Sequence, residues 1–67
     1  MPSTVIRSFD YDPGRQKLWI RFVSGKLYVY EAVPEYIYDG LSTARSQGEY
    51  FNLAIRDRYA FQEVIAA

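Results

Sequence analysis

Two kinds of side chain in this sequence could bind a ligand, a pair of tyrosines and a scattered set of cations. Tyr28 and Tyr30 stand two positions apart in a segment typical of a β-strand, so their rings should share one face of a sheet. Rings displayed in this way stack unpaired bases, and nearby guanidinium or ammonium groups bind phosphate. The cations best placed for such contacts are Arg21, Lys26, Arg45, Arg56 and Arg58.

Both groups also have a structural interpretation. The tyrosines could pack beneath helices with their hydroxyls at the rim, and the cations could form a solvated face. Arg56 and Arg58 are expected near the end of a helix, where positive charge complements the helix dipole. The residues alone leave these alternatives open.

Two residue types that dominate protein chemistry are missing. The 67 residues include no His and no Cys, which excludes disulfides, thiolate metal sites and every Ser-His or Cys-His nucleophile. The carboxylates show no spacing that singles out an acid–base pair. Asp10 and Asp12 precede Pro13-Gly14, so we interpret them as part of a turn rather than a metal site. We therefore expect a non-enzymatic protein without a cofactor.

Charge and hydropathy limit the partners and the location. Formal net charge is +0 and the sequence pI is about 6.1, whereas domains built for phosphate backbones usually have a pI above about 9. This argues against strong non-specific nucleic-acid binding. The sequence has no apolar run of the roughly 18 residues that a membrane span needs, and no signal peptide opens it. We expect a cytoplasmic protein that does not enter membranes.

Three segments predict strands, at residues 5–11, 17–23 and 26–31, with Asp12-Pro13-Gly14 as the first turn. The second turn decides which side chains share a face. A two-residue loop at Ser24-Gly25 would place Leu27 and Val29 with Leu18, Ile20 and Phe22. A three-residue loop ending at Gly25 as a bulge would place Tyr28 and Tyr30 there instead, and glycine favours this second register.

Two helices follow the strands. Pro34 suits a first helical turn, and an apolar stripe follows at three- and four-residue steps. Ser46 and Glu49 form a capping box that predicts a second helix over residues 47–59. The stripe consists of Ile37, Tyr38, Leu41 and Ala44, and the second helix should bury Phe51, Ala54, Ile55 and Tyr59. Phe61, Val64 and Ile65 could continue that helix or pack elsewhere.

The order β-β-β-α-α predicts one α+β domain over residues 1–67, with a core at 5–59 and a C-terminal tail at 60–67. A three-stranded antiparallel meander should have both helices on one face. The other face is unusually apolar, so either the tail covers it or it meets a partner. Trp19, Leu27, Val29, Phe61 and Ile65 are the candidate interface residues, for a protein partner or a homodimer.

The motifs resemble one family closely. The run Leu18-x-Ile20-x-Phe22, Gly25, Tyr28-x-Tyr30 and Val33-Pro34 is similar to the KTSC domain, which is named for the C-terminal extension of some lysyl-tRNA synthetases. The domain also occurs alone in small bacterial and phage proteins. The second half of the resemblance is Tyr38-x-x-Leu41-x-x-Ala44-x-Ser46-x-Gly48-x-Tyr50-Phe51-Asn52.

The resemblance covers roughly residues 5–59 and implies no catalytic residue. Its association with a tRNA enzyme implies binding of RNA or single-stranded nucleic acid, with Tyr28, Tyr30, Arg21, Lys26, Arg56 and Arg58 as the candidate ligand-binding residues. Two alternatives stay open. One is a protein-interaction or homo-oligomerisation module that uses the apolar sheet face and the tail. The other is a phage or bacterial protein that sequesters a nucleotide.

Overall fold

A four-stranded antiparallel sheet covered on one face by short helices forms the domain. A computed structural model describes residues 5–65. The elements are β1 (Ile6–Asp12), β2 (Lys17–Phe22), β3 (Leu27–Tyr30), α1 (Glu35–Thr43), α2 (Gln47–Tyr50), a π-helical segment (Phe51–Ile55) and β4 (Phe61–Val64). The strand order is β1-β2-β3-β4, so each strand pairs with its neighbours in sequence. The predicted α+β class is confirmed.

The β2–β3 hairpin adopts the bulged register. Leu18 pairs with Tyr30, and Ile20 pairs with Tyr28. The Phe22 N–H donates to the Lys26 carbonyl at 2.9 Å, and Gly25 has a φ of 94°, a left-handed conformation that glycine adopts without strain. Both tyrosines therefore lie on the helix-covered face, as the three-residue loop predicts.

The first turn is held by Asp12. Its Oδ1 accepts hydrogen bonds from the backbone N–H of Gly14 at 3.0 Å and of Arg15 at 3.3 Å. This is an Asx turn, which satisfies backbone donors that the sheet leaves free. The interpretation as a turn residue is confirmed for Asp12 and wrong for Asp10, which lies within β1 opposite Trp19.

The sheet has one strand more than the sequence predicts. β4 runs antiparallel to β3, with Tyr30 opposite Phe61 and Leu27 opposite Val64. The strand is only four residues long, and Gln62-Glu63 interrupts its apolar character, so no periodicity marks it. Its pairing satisfies the backbone groups of β3, which would otherwise form an exposed edge. The tail thus extends the sheet and does not cross its open face.

The second helix is shorter than predicted. It ends at Ile55 rather than at residue 59, and its last turn is π-helical, with the Arg56 N–H donating to the Phe51 carbonyl at 2.8 Å. Asp57 then adopts a φ of 61°, which Asp tolerates better than most residues. This reversal turns the chain back along β3, and β4 can form. One half of the predicted capping box is present, since Ser46 Oγ accepts from the Glu49 N–H at 3.3 Å, whereas the Glu49 side chain does not accept from the Ser46 N–H.

The core lies between the covered face and the helices. A Cβ at Gly40 would overlap the ring of Tyr50, so glycine allows α2 to pack closely on α1 despite its cost in a helix interior. The buried side chains of the core cluster are Leu18, Ile20, Tyr30, Val33, Ile37, Leu41, Phe51 and Ile55.

No helix within residues 5–65 has the length and apolar composition to cross a membrane.

Candidate functional site

An open cleft lies where the β2–β3 turn, the π-helical segment and β4 meet. We call it the aromatic cleft, because five rings form its wall, and its volume is about 580 Å³. Val5 and Val23 form an exposed apolar rim. The rings are those of Phe22, Tyr28, Tyr30, Phe51 and Phe61.

The rings of the cleft contact one another in a continuous chain. Tyr28 and Phe61 stack with centroids 5.4 Å apart and planes 25° apart. Phe22 meets Tyr28 edge-on at 5.4 Å and meets Phe51 edge-on at 5.3 Å. Such geometry is favourable for aromatic pairs. Since Phe61 is 50% exposed, the stacked pair has solvent-accessible ring surface at the mouth of the cleft.

Tyr28 and Tyr30 have different roles in this wall. Tyr30 is 3% exposed and belongs to the core, whereas Tyr28 is half-buried beside Phe61. The pKa of Tyr30 is raised to about 12, mainly by burial, with a smaller contribution from the neighbouring Tyr28 and an opposing one from Arg56. The phenol of Tyr30 is therefore neutral near pH 7, and of the two tyrosines Tyr28 has the more solvent-accessible side chain.

Charged and polar side chains also line the cleft. Lys26 lies at the end of the β2–β3 turn, and Arg56 follows the π-helical segment. Arg56 Nη1 donates a long hydrogen bond of 3.4 Å to Asn52 Oδ1, so the two side chains lie side by side. Asp57 also lines the cleft. The cleft thus combines two cations, one carboxylate and one amide with an aromatic wall.

Asn52 lies within the π-helical segment, and Arg56 follows it as the C-cap. Side chains four positions apart on a helix are neighbours, and both of these line the cleft. π-helical turns occur often at functional sites. No sequence pattern marks this one, because the α-helical period fits residues 47–55 almost as well.

The structure brings together four of the six predicted ligand-binding residues: Tyr28, Tyr30, Lys26 and Arg56 all line the aromatic cleft. Arg21 lies on the opposite face of the sheet, since β2 alternates and Ile20 is buried beneath the helices. Arg58 lines a separate hollow with Tyr36 and Tyr59.

The predicted interface residues also divide between the two faces. Trp19, Leu27 and Val29 share the open face, where Trp19 is directly opposite Val29. Phe61 does not join them, because β4 pairs it with Tyr30 and thereby places it on the covered face. Ile65 follows β4 and is 79% exposed.

Sequence reasoning missed Phe61 and Asp57 as parts of the cleft. Both positions depend on the chain reversal after Ile55, which has no pattern in the sequence. The four-residue spacing of Asn52 and Arg56 was a usable signal, since side chains four apart on a helix are neighbours. Within residues 5–65, no cluster of three or more His, Cys, Asp or Glu side chains could hold a metal ion.

The sequence matches the KTSC domain over residues 2–59. The chain belongs to the KTSC domain family. An uncharacterized protein of Stutzerimonas stutzeri is 41% identical over 59 residues, which are 88% of this chain and 83% of that protein. A lysine–tRNA ligase of Nostoc punctiforme is 36% identical over 61 residues, which are 91% of this chain and only 11% of the ligase.

A solved structure has the same fold. The crystal structure of a KTSC domain protein from Yersinia pestis superposes with a TM-score of 0.88 at 28% sequence identity. The superposition covers 97% of this chain and 94% of that one. The KTSC fold thus includes the region of β4, which lies beyond the last matched residue of the family, residue 59.

Proposed function

We propose that this KTSC domain is a non-enzymatic module that binds single-stranded RNA in the aromatic cleft. An unpaired base stacks on the accessible ring surface of Tyr28 and Phe61. Lys26 and Arg56 contact the flanking phosphates. The observation that carries the proposal is the stacked pair at the mouth of the cleft, 5.4 Å between centroids, with both cations lining the same cleft.

Physical chemistry supports this combination. Base–aromatic stacking contributes about 1–3 kcal/mol per base and tolerates any base, because every base has a π-face. A neutral domain cannot rely on a broad positive surface, so binding should depend on stacking and on a few local phosphate contacts. The ligase relative acts on a tRNA substrate by its name, and its matching segment is a small part of that protein.

Two arginines provide a matched test. Arg56→Ala and Arg58→Ala remove the same charge two positions apart, but only Arg56 lines the cleft. Binding of a labelled short single-stranded RNA is measured by fluorescence anisotropy at several salt concentrations. We expect Arg56→Ala to weaken binding and to lower the slope of log K against log salt by about 0.7, the value for one phosphate contact. Arg58→Ala should leave the slope unchanged.

Stacking is tested separately with Phe61→Leu, which keeps an apolar strand residue and removes the ring. We expect affinity to fall about tenfold, within the range for one stacked base. Leu53→Ala is the control, since Leu53 is exposed outside the cleft. Equal losses of RNA affinity in Arg56→Ala and Arg58→Ala would reject the proposal, and so would an unchanged affinity in Phe61→Leu.

A second candidate is a small nucleotide, because a volume of about 580 Å³ lies within the usual range for small-ligand pockets, roughly 300–1,000 Å³. The base would stack on the same rings and the phosphate would meet Arg56. A thermal-shift screen with mononucleotides and cyclic nucleotides tests this, since a ligand of the native state raises the melting temperature. The absence of a shift at millimolar nucleotide would reject it.

A further inference from the structure

The open face of the sheet carries an acid and a base beside its central tryptophan. Asp10 of β1 is directly opposite Trp19 of β2, and Arg21 is the next residue of β2 on the same face. These three side chains and Leu27 line a hollow of about 300 Å³. Asp10 and Arg21 are both exposed, whereas Trp19 and Leu27 are half-buried.

The two charges do not neutralise each other within the chain. The ion pair in the described part of the chain joins Lys17 and Glu31 at 3.8 Å, and Asp10 and Arg21 form none with any residue there. Arg21 Nη1 donates a long hydrogen bond of 3.4 Å to the Gly25 carbonyl, and its other guanidinium donors have no partner within residues 5–65. An available carboxylate and an available guanidinium therefore flank one exposed edge of an indole.

This arrangement is self-complementary. A two-fold contact uses the same patch on both subunits, so each patch must carry a group and its complement. The Cα atom of Asp10 lies about 5 Å from that of Trp19, across the strands. The Cα atom of Arg21 lies about 7 Å from that of Trp19, along the strand. Consider a two-fold axis that lies in the plane of the interface, passes Trp19 and runs diagonally to the strands. Rotation about this axis exchanges the direction across the strands with the direction along them. It sets Asp10 of each copy against Arg21 of the other, with the sheets crossing near a right angle.

We propose that the open face binds a second copy of this chain, with the two Trp19 side chains in contact and two reciprocal Asp10–Arg21 ion pairs around them. The face is small for a stable interface, which usually buries about 800 Å² per partner, so the dimer should be weak and concentration-dependent. Asp10 makes the same face unfavourable for a phosphate backbone. The aromatic cleft lies on the other side of the sheet and stays open in the dimer.

Charge exchange tests the pairing directly. Sedimentation velocity over a range of concentrations should show a reversible dimer for the wild-type chain. Asp10→Arg and Arg21→Asp should each abolish it, because each brings like charges together. The double variant Asp10→Arg/Arg21→Asp should restore it. Arg58→Asp makes the same charge change as Arg21→Asp outside the face and should dimerise like wild type.

The single tryptophan supplies a second readout. Its fluorescence should shift to shorter wavelength as wild-type concentration rises, and should not shift in either single variant. A wild-type chain that is monomeric at every concentration would overturn the proposal. So would single variants that dimerise normally, or a double variant that stays monomeric while circular dichroism shows it folded.

Discussion

Two aromatic clusters lie on the covered face of this sheet, and they differ in how their hydroxyls are used. In the first, which we call the closed cluster, Tyr38 of α1 stacks on Tyr11 of β1 at 4.9 Å, and Phe9 meets Tyr38 edge-on at 5.9 Å. The Tyr11 hydroxyl donates to the buried Val33 carbonyl at 2.6 Å. An internal acceptor fixes this tyrosine, so the closed cluster joins β1 to the start of α1.

The aromatic cleft contains similar residues without such an acceptor. The hydroxyls of Tyr28 and Tyr30 make no hydrogen bond within residues 5–65, and no buried side-chain polar atom there lacks a partner. Their hydroxyls must therefore reach solvent in the cleft. The two clusters therefore contain similar residues but differ in whether a tyrosine hydroxyl has an acceptor within the described chain.

The largest expected effect distinguishes the buried Tyr30 from the half-exposed Phe61 of the same cleft. Tyr30→Ala should destabilise the domain by about 3–5 kcal/mol, as for other large aromatic truncations, and so small a domain should then be largely unfolded. Phe61→Ala should cost about 1 kcal/mol, because half of its side chain is already exposed. Urea unfolding followed by circular dichroism measures both. A stably folded Tyr30→Ala variant would place Tyr30 outside the core.

The stability of the domain at alkaline pH should also show that Tyr30 is buried. Its pKa is raised to about 12 in the folded state by burial, from about 10 in the unfolded chain. The folded state therefore holds its proton at pH values where the unfolded state has lost it. The contribution of Tyr30 to stability should be fully present below pH 10 and should decline from pH 10 to 12. In Tyr30→Phe this decline should be smaller, and an unchanged decline would contradict the assigned pKa.

Removing single hydroxyls tests the comparison itself. Tyr11→Phe should cost about 1–2 kcal/mol, since it leaves the buried Val33 carbonyl without its donor. Tyr28→Phe should change stability by only a few tenths, because its hydroxyl has no partner in the described chain. Urea unfolding of the two variants measures both losses of stability. Equal losses would show that the clusters do not differ in how their tyrosine hydroxyls are bonded.

The smallest expected effect concerns the charge of the cleft. Asp57→Asn removes a carboxylate that opposes phosphate, and Asn also tolerates the positive φ at this position. RNA affinity should rise about two- to fivefold at low salt, as for an exposed charge pair, and the gain should shrink at higher salt. Asp39→Asn, on α1 outside the cleft, should have no effect on anisotropy titrations.

Much of the fold could be predicted because local chemistry determines it. Gly25 selects the hairpin register, Asp12 the first turn, and Ser46 the start of α2. The π-helical turn and β4 could not be predicted. The π-helical turn changes the spacing of apolar residues too little to be recognised in the sequence. β4 is a short edge strand, and its pairing depends on a distant segment.

The site was predictable to the same extent. Tyr28 and Lys26 follow from the hairpin register, since both belong to the hairpin itself. Arg21 belongs to the same hairpin, but its position in the alternation of β2 places it on the other face. Phe61 enters the cleft only through the pairing of β4 with β3. The place of Phe61 therefore depends on long-range pairing, whereas that of Arg21 depends only on the local alternation of β2.

The most direct test of the central claim is an amide NMR titration of the labelled domain with a short single-stranded RNA, at low and moderate salt. Binding in the aromatic cleft predicts that shifts concentrate around Tyr28, Lys26, Arg56 and Phe61, and weaken as salt rises. The closed cluster and the open face around Trp19 should stay unperturbed. Unchanged spectra at both salt concentrations, or shifts centred on Trp19 and Arg21, would contradict it.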